Sequence, residues 1–228
     1  LVCIVTIRFP SKLNTNSKGP DSIMTLIIYH SPCPDGMAAA WVFATYYRKT
    51  GDDEEKLELH GADHGHAPPL AKAKGQKVIL VDYCYNYEAM TALANVAHSV
   101  TVLDHHASTE PLVDRLPGIT FILSKEFSGC QLAWRYCLQP ASPKAPWWLD
   151  HVADRDLFRW AIPGSRSTTR ALDALYAIDN IQRLGLVASL HDQAELEWMG
   201  RVLLSGDRIR YEGLAQAAQT RTLVCPDG

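Results

Sequence analysis

Short apolar runs of strand type alternate with helix-like segments through the middle of this 228-residue chain. Strand-like runs are predicted at Thr25–His30, Leu57–His60, Lys77–Asp82 and Val100–Asp104. Helical patterns are predicted at Met37–Arg48, Tyr87–Ala97, Gly129–Leu138, from Trp147 onward and at Ala194–Ala217. This alternation predicts an α/β domain with a mostly parallel sheet flanked by helices.

Composition and charge narrow the class of protein. Hydrophobic residues make up 47% and charged residues 21%, so the chain can bury a core and is neither disordered nor fibrous. The net charge of −3 gives no global basic field for nucleic acid. No apolar run approaches the roughly 18–20 residues that span a bilayer, so no membrane partner is expected. The six cysteines include no C-x-x-C pair, which favours reduced thiols and a cytoplasmic location.

Aspartate and histidine recur where the predicted strands end. His30 ends one strand and Asp35 follows shortly; Asp82 ends another, and Asp104-His105-His106 ends a third. The carboxyl ends of parallel strands meet at one edge of a sheet, so these side chains are expected to converge on one cleft. Aspartate and histidine are ligands for Mn²⁺, Mg²⁺ or Zn²⁺, and two such ions activate water for attack on phosphorus.

Four motifs resemble those of the DHH phosphoesterase superfamily, which includes single-strand-specific exonucleases, oligoribonucleases, cyclic-dinucleotide phosphodiesterases and family II pyrophosphatases. In chain order they are His30-Ser-Pro-Cys-Pro-Asp35-Gly36, Val81-Asp82, Asp104-His105-His106 and Ala153-Asp154-Arg155-Asp156. The resemblance covers about Met24 to Trp160 and is nearest to a branch whose first motif is H-x-x-C-P-D-G. It implies two bound ions, Mn²⁺ in the first instance, with Mg²⁺ or Zn²⁺ as alternatives.

The resemblance also implies a set of metal ligands. His30 and Asp82 would hold one ion, and Asp82 would bridge to the other. The second ion would be held by Asp35, Asp82, His105 and Asp154. Asp156 is the alternative to Asp154. Asp154 is preferred because it directly follows the apolar pair Val152-Ala153.

Cys33 departs from the superfamily pattern, in which the first motif carries two aspartates. If Cys33 is a ligand, its thiolate shifts the preference of the first site toward Zn²⁺ or Fe²⁺. The alternative is that Cys33 is a buried, inert thiol and that the first site is weakened or filled by water.

The remaining implied roles concern catalysis and substrate. His106 would face the scissile phosphate, and Asp104 would act beside it or orient a histidine. Ser128, Gly129 and Arg155 would contact the substrate, because helix N-termini and arginines bind phosphate. The alternative for Ser128-Gly129 is a simple helix N-cap.

Two further groups are ambiguous in the sequence. His60, His64 and His66 are interpreted as a surface loop, since a zinc site there would need another convergent ligand. Trp147-Trp148 could form a base-stacking platform, but adjacent helical residues point in different directions, so at least one is expected in the core.

The domain organisation is predicted in four parts. Residues 1–23 are expected to be a non-native or disordered leader and residues 24–190 the DHH phosphoesterase domain. Residues 191–221 are expected to form a connecting helix, and residues 222–228 the start of a truncated C-terminal substrate-binding domain.

The predicted function is that of a metal-dependent phosphoesterase. It would hydrolyse a phosphodiester or phosphoanhydride bond with a water activated by two ions. The expected substrate is a nucleotide, another small phosphorylated molecule or a short single-stranded oligonucleotide. The alternative is a non-catalytic metal- or nucleotide-binding relative with a degenerate first site, suggested by Cys33 and by the expected truncation of the second domain.

Overall fold

The computed structural model describes residues 23–47, 57–138, 144–178 and 192–219. The chain divides into two compact units, residues 1–159 and residues 160–228. The elements of the first unit are β1 Thr25–His30, α1 Pro34–Tyr46, β2 Leu57–Ala62, α2 Leu70–Ala73, β3 Lys77–Val81, α3 Tyr87–Val96, β4 Ser99–Asp104, β5 Thr120–Leu123, α4 Gly129–Leu138 and α5 Trp147–Asp156. Within the described residues, the second unit contains α6 Ser165–Ile178 and α7 Gln193–Gln219.

The strands form one sheet in the order β2-β1-β3-β4-β5, and each adjacent pair runs parallel. The predicted α/β fold with a mostly parallel sheet is therefore confirmed. In the central register, Ile27 of β1 lies between Leu59 of β2 and Ile79 of β3. Because all strands run the same way, their carboxyl ends lie along one edge.

The core of the first unit lies on both faces of this sheet. On one face Leu26, Ile28 and Leu80 pack with Met90 and Leu93 of α3. Side chains alternate along a strand, so the fully buried Ile27 faces the other side. Helices α1 and α4 pack against each other and against the strands. Burial of both faces explains why these strands are almost continuously apolar in sequence.

Helix α5 carries the two adjacent tryptophans. Trp148 is buried and its ring meets the ring of Trp41 edge-on at a centroid distance of 4.9 Å. Trp147 instead packs edge-on against His151 at 5.5 Å. Trp148 is thus a core residue, and the pair does not form one stacking surface.

The second unit consists, in its described part, of α6 packed against α7. Leu172 and Leu196 are fully buried. A Cβ atom on Gly200 would lie 1.7 Å from the carbonyl oxygen of Ser167, so the two helices approach closely there because Gly200 has no side chain.

Several boundaries differ from the predicted ones. Helix α1 begins at Pro34, three positions before Met37, and β2 extends to Ala62 instead of ending at His60. The elements α2, β5 and α6 were not predicted. The predicted leader lies outside the described residues apart from Ile23, and the predicted segment 222–228 lies outside them entirely. Among the described helices, none is long and apolar enough to cross a bilayer.

Candidate metal centre

Asp82 lies at the centre of the polar cluster at the carboxyl edge of the sheet. It directly follows β3, is 1% exposed and has a φ of +56°, a left-handed conformation that is uncommon outside glycine. Its Oδ1 lies 3.1 Å from Nε2 of His105, and its Oδ2 lies 3.7 Å from Nδ1 of His30. The two oxygens of one carboxylate therefore face imidazoles from two different strand ends.

Three groups of candidate donor atoms lie around Asp82, and one of them joins Asp82 to Asp104, His105 and His106. The other two are sets of three residues. In the first set, one donor atom each from His30, Cys33 and Asp82 lie within 4.8 Å of one another. In the second, the same holds for Asp35, His105 and Asp156. The structure thus brings together the predicted ligands His30, Cys33, Asp35, Asp82 and His105.

The donor set fits divalent ions on a second, independent ground. Oδ2 of Asp82 and Oδ2 of Asp156 are both buried and accept no hydrogen bond, although each faces an imidazole nitrogen, in His30 at 3.7 Å and in His105 at 3.2 Å. An ionised carboxylate oxygen that is removed from water and accepts no hydrogen bond costs several kcal/mol, as an order of magnitude. A bound cation would satisfy both oxygens, and nitrogen, sulfur and carboxylate donors are those that transition-metal ions accept.

Asp156, and not the preferred Asp154, joins this cluster. Oδ2 of Asp156 lies 3.2 Å from Nε2 of His105. Asp154 is 4% exposed but belongs to none of the donor groups found among the described residues. Two residues correspond to about 200° of rotation around a helix, so α5 cannot direct both carboxylates to one cleft.

Asp35 connects the cluster to the N-terminus of α4. Its Oδ1 accepts a hydrogen bond from the hydroxyl of Ser128 at 2.7 Å and another from the backbone N–H of Cys130 at 3.1 Å. Its Oδ2 accepts a hydrogen bond from the backbone N–H of Gly129. Ser128 and Gly129, which were predicted to bind substrate, therefore donate hydrogen bonds to Asp35. This is close to the alternative interpretation, a helix N-cap, except that the capping carboxylate comes from α1 and not from the start of α4 itself.

Gly129 allows this close approach. A Cβ atom at this position would lie 2.5 Å from Cβ of Asp82 and 2.8 Å from Oδ2 of Asp35. Any other residue would push α4 away from the two carboxylates. The Ser-Gly pair thus sets how closely α4 lies beside the candidate ligands.

Asp104 has the geometry of an orienting residue. Its Oδ1 lies 2.7 Å from Nδ1 of His106 and accepts the backbone N–H of His105 at 2.8 Å. Its Oδ2 accepts the hydroxyl of Thr109. The His106 side chain is 45% exposed, so the ring held by Asp104 is open to solvent and to a substrate. Arg155 is half-buried, and its charge acts on the neighbouring Asp156.

The sequence interpretation missed the loop after β2. Nε2 of His30 lies 3.8 Å from Oδ1 of Asp63, and the rings of His30 and His64 are 5.2 Å apart. The backbone N–H of His64 donates to Oδ1 of Asp63 at 2.7 Å, and the Tyr83 hydroxyl donates to the Asp63 carbonyl at 2.9 Å. The loop is exposed, as expected, but Asp63 and His64 border the candidate centre. The rule that points to strand ends would have found them had β2 been extended to Ala62.

The electrostatics reflect several carboxylates in one small space. Burial raises the pKa of Asp35 above its ordinary 3.8, and the charge of Asp82 raises it further. Burial also raises the pKa of Asp156. For Asp82 burial acts in the same direction, but the hydrogen bond with His105 and the nearby imidazole of His30 outweigh it and hold the pKa below 3.8.

The histidines and the thiol respond to the same field. Burial alone would lower the pKa of His105, but the hydrogen bond to Asp82 and the charge of Asp156 raise it from 6.5 to about 9. The hydrogen bond to Asp104 raises the pKa of His106. Burial and the charge of Asp82 raise the pKa of Cys33 well above its ordinary range. The cluster therefore holds protons that a divalent ion would replace.

Comparisons with known proteins support the fold and do not assign an activity. No family model matches the chain. It is 27% identical over 146 residues to an uncharacterized protein of Acanthamoeba polyphaga mimivirus, covering 60% of this chain and 34% of the viral protein. A crystal structure of an uncharacterized protein from Helicobacter pylori is similar, with a TM-score of 0.52 at 14% identity. That alignment covers 88% of this chain and 66% of the other, so the chain is shorter than both proteins and shares its fold with the bacterial one.

Proposed function

We propose that this protein is a phosphoesterase that depends on two divalent ions. It would hydrolyse a phosphodiester or phosphoanhydride bond in a nucleotide or a short single-stranded oligonucleotide. The proposed ions are Mn²⁺, with Mg²⁺ or Zn²⁺ as alternatives, and the proposed compartment is the cytoplasm, where thiols stay reduced. The proposal rests on the resemblance of four motifs to DHH phosphoesterases and on the arrangement around Asp82.

One observation carries the proposal. Asp82 is buried, its Oδ1 faces His105, and its unpartnered Oδ2 faces His30. A carboxylate with one oxygen toward each of two donor sets is suited to bridge two ions. When bound, two such ions would lower the pKa of a water molecule and stabilise charge on the phosphoryl oxygens.

The other side chains of the cluster have complementary roles in this proposal. Asp35, His105 and Asp156 would complete one ion site, and His30 with Cys33 the other. His106, oriented through Nδ1 by Asp104, would present its Nε2 to a phosphoryl oxygen of the substrate. A raised pKa keeps the His106 imidazole able to carry a proton near neutral pH, so it can stabilise negative charge there.

The test is a metal titration of turnover. The metal-stripped chain would be assayed with bis-p-nitrophenyl phosphate and with a short oligonucleotide, in Mn²⁺, Mg²⁺ and Zn²⁺. Asp82→Asn is the informative variant, because asparagine tolerates the left-handed backbone but cannot bridge two cations. We expect it to lose on the order of 100- to 1,000-fold or more in kcat.

Asp114→Asn is the matched control, since Asp114 is exposed and belongs to no candidate donor group. It should retain wild-type turnover. Ion binding without turnover of either substrate would contradict the proposal and favour a metal- or nucleotide-binding protein. Turnover that is unaffected by Asp82→Asn would contradict the assignment of this site.

A further inference from the structure

The two three-residue donor sets around Asp82 differ in chemistry. One consists of an imidazole nitrogen, a thiol sulfur and a carboxylate oxygen, from His30, Cys33 and Asp82. The other offers two carboxylates and one imidazole, from Asp35, Asp156 and His105. Sulfur ligands select Zn²⁺ and other soft ions, whereas carboxylate-rich sites suit Mn²⁺ and Mg²⁺.

A buried carboxylate oxygen of Asp82 lies in the same donor set as the sulfur of Cys33. Oδ2 of Asp82, on a side chain that is 1% exposed, lies 3.7 Å from Nδ1 of His30 and has no hydrogen-bond partner. This oxygen faces His30, and one donor atom each of His30, Cys33 and Asp82 lie within 4.8 Å of one another. A nitrogen, a sulfur and an oxygen donor therefore lie together, and a bound cation would stabilise the buried carboxylate oxygen among them.

The surroundings of His30 fit a ligand role for its Nδ1. The opposite ring nitrogen, Nε2, lies 3.8 Å from Oδ1 of Asp63. This distance is too long for a hydrogen bond, so Asp63 favours a ligand role of the ring by its charge and not by fixing the ring. Asp63 is itself fixed by the N–H of His64 and, through its carbonyl, by the hydroxyl of Tyr83.

Cys33 is placed by the start of α1. It occupies the N-cap position in an extended conformation, Pro34 follows as the first helical residue, and the side chain makes no capping hydrogen bond. The thiol is therefore not used to complete the helix. Backbone N–H groups of Asp35 and Gly36 lie near the sulfur, but burial and the charge of Asp82 outweigh them and raise the pKa of the thiol, so the thiol would lose its proton on binding an ion.

We propose that His30, Cys33 and Asp82 form a thiolate-containing site selective for Zn²⁺ or Fe²⁺, so that the centre holds two different metals, the second site taking Mn²⁺ or Mg²⁺. The second ion rests on the function proposed above, but the thiolate site stands on its own geometry. Asp82 would share its carboxylate between a soft site and a hard site.

Cobalt spectroscopy tests the thiolate directly. The metal-stripped full chain would be titrated with Co²⁺, for which thiolate ligation gives an intense sulfur-to-cobalt charge-transfer band. We expect the band to rise with the first equivalent and to vanish in Cys33→Ser. Cys84→Ser is the matched control, because Cys84 is a half-buried free thiol outside the donor groups, and it should retain the band.

Metal content tests selectivity. After incubation with equal Zn²⁺ and Mn²⁺ and removal of free ions, we expect one of each ion per wild-type chain. Cys33→Ser should weaken Zn²⁺ binding by more than about 100-fold. Loss of a residue that only hydrogen-bonds a metal ligand costs at most about 100-fold, so a larger loss indicates that Cys33 is itself a ligand. Cys33→Asp keeps a ligand but replaces sulfur with oxygen, so it should bind two Mn²⁺ and lose the preference for Zn²⁺.

The outcomes separate this inference from the proposed function. A cobalt band and a mixed metal content without phosphoester turnover would support the soft site and contradict the phosphoesterase. Turnover without a cobalt band, or two identical ions in wild type and Cys33→Ser alike, would overturn the soft site and leave the phosphoesterase standing.

Discussion

Nε2 of His105 lies 3.2 Å from Oδ2 of Asp156, although the two residues come from the end of a strand and the end of a helix. We predict that Asp156→Asn weakens Mn²⁺ binding by at least tenfold, because the second ion loses a carboxylate ligand. Asp154→Asn should retain wild-type affinity once the fraction of folded protein is matched. Isothermal titration of both variants measures this, and the reverse order would restore Asp154 as the ligand.

The contact of Gly129 with the carboxylates makes a stability prediction. Gly129→Ala would place a methyl group 2.5 Å from Cβ of Asp82, so we expect the free energy of unfolding to fall by about 1–3 kcal/mol. Gly118→Ala is the control, since a Cβ there meets nothing within 4 Å, and it should stay within about 0.5 kcal/mol of wild type. Urea unfolding of both variants decides, and equal stabilities would disprove the close approach.

The pair formed by Asp104 and His106 predicts two variants that lose activity for different reasons. His106→Ala should lower kcat with little change in stability, because the ring is 45% exposed. Asp104→Asn should lower kcat by about 10- to 100-fold through misorientation of the ring, and also cost about 1–3 kcal/mol, since a buried acceptor of several hydrogen bonds is changed. Kinetics with thermal unfolding separate the two effects; an inert Asp104→Asn would contradict the orienting role.

His64 borders the cleft beside His30, and we predict that it contacts the substrate. Its ring is exposed and lies 5.2 Å from that of His30. His64→Ala should raise KM by roughly five- to tenfold, which corresponds to about 1 kcal/mol of binding, with kcat nearly unchanged. His98→Ala, at an exposed histidine outside the donor groups, should leave KM unaltered. Equal KM values for both variants would assign His64 to the solvent-exposed surface only.

The stability of the metal-free protein should fall as the pH rises from 6.5 to about 9. His105 has a pKa raised from 6.5 to about 9, so the stability from its proton is complete below pH 6.5 and is lost toward pH 9. The raised pKa of Asp35 acts in the same direction, because the folded chain keeps a proton that the unfolded chain releases. Thermal unfolding followed by circular dichroism measures the slope.

Two comparisons check that interpretation of the slope. Saturating Zn²⁺ and Mn²⁺ should flatten the decline in Tm, since ions take the place of protons. His105→Gln should also reduce the decline. A Tm that is constant or rises over this interval in the metal-free wild type would show that the cluster does not hold these protons.

The parallel sheet and much of the cluster could be predicted from the sequence. Apolar runs mark β1, β3 and β4, and the geometry of parallel strands then brings His30, Asp82 and His105 to one edge. Nothing more than strand direction is needed for that step.

The other features depend on tertiary packing. Asp154 and Asp156 differ only in their position around α5, and packing against neighbouring helices decides which one faces the cleft. The binding of α4 amides by Asp35 involves residues more than 90 positions apart. Asp63 was missed because β2 ends at Ala62 and not at His60.

The hydrogen bonds from Ser128, Gly129 and Cys130 to Asp35 also have an evolutionary consequence. The start of α4 fits closely against Asp35 and Asp82. A residue larger than glycine at position 129 could therefore be accepted only if these two aspartates were replaced by smaller residues or moved away. These positions are expected to covary among descendants of this chain. A lineage that lost both aspartates would no longer need a glycine at position 129, because the side chains that a larger residue would meet there would be gone.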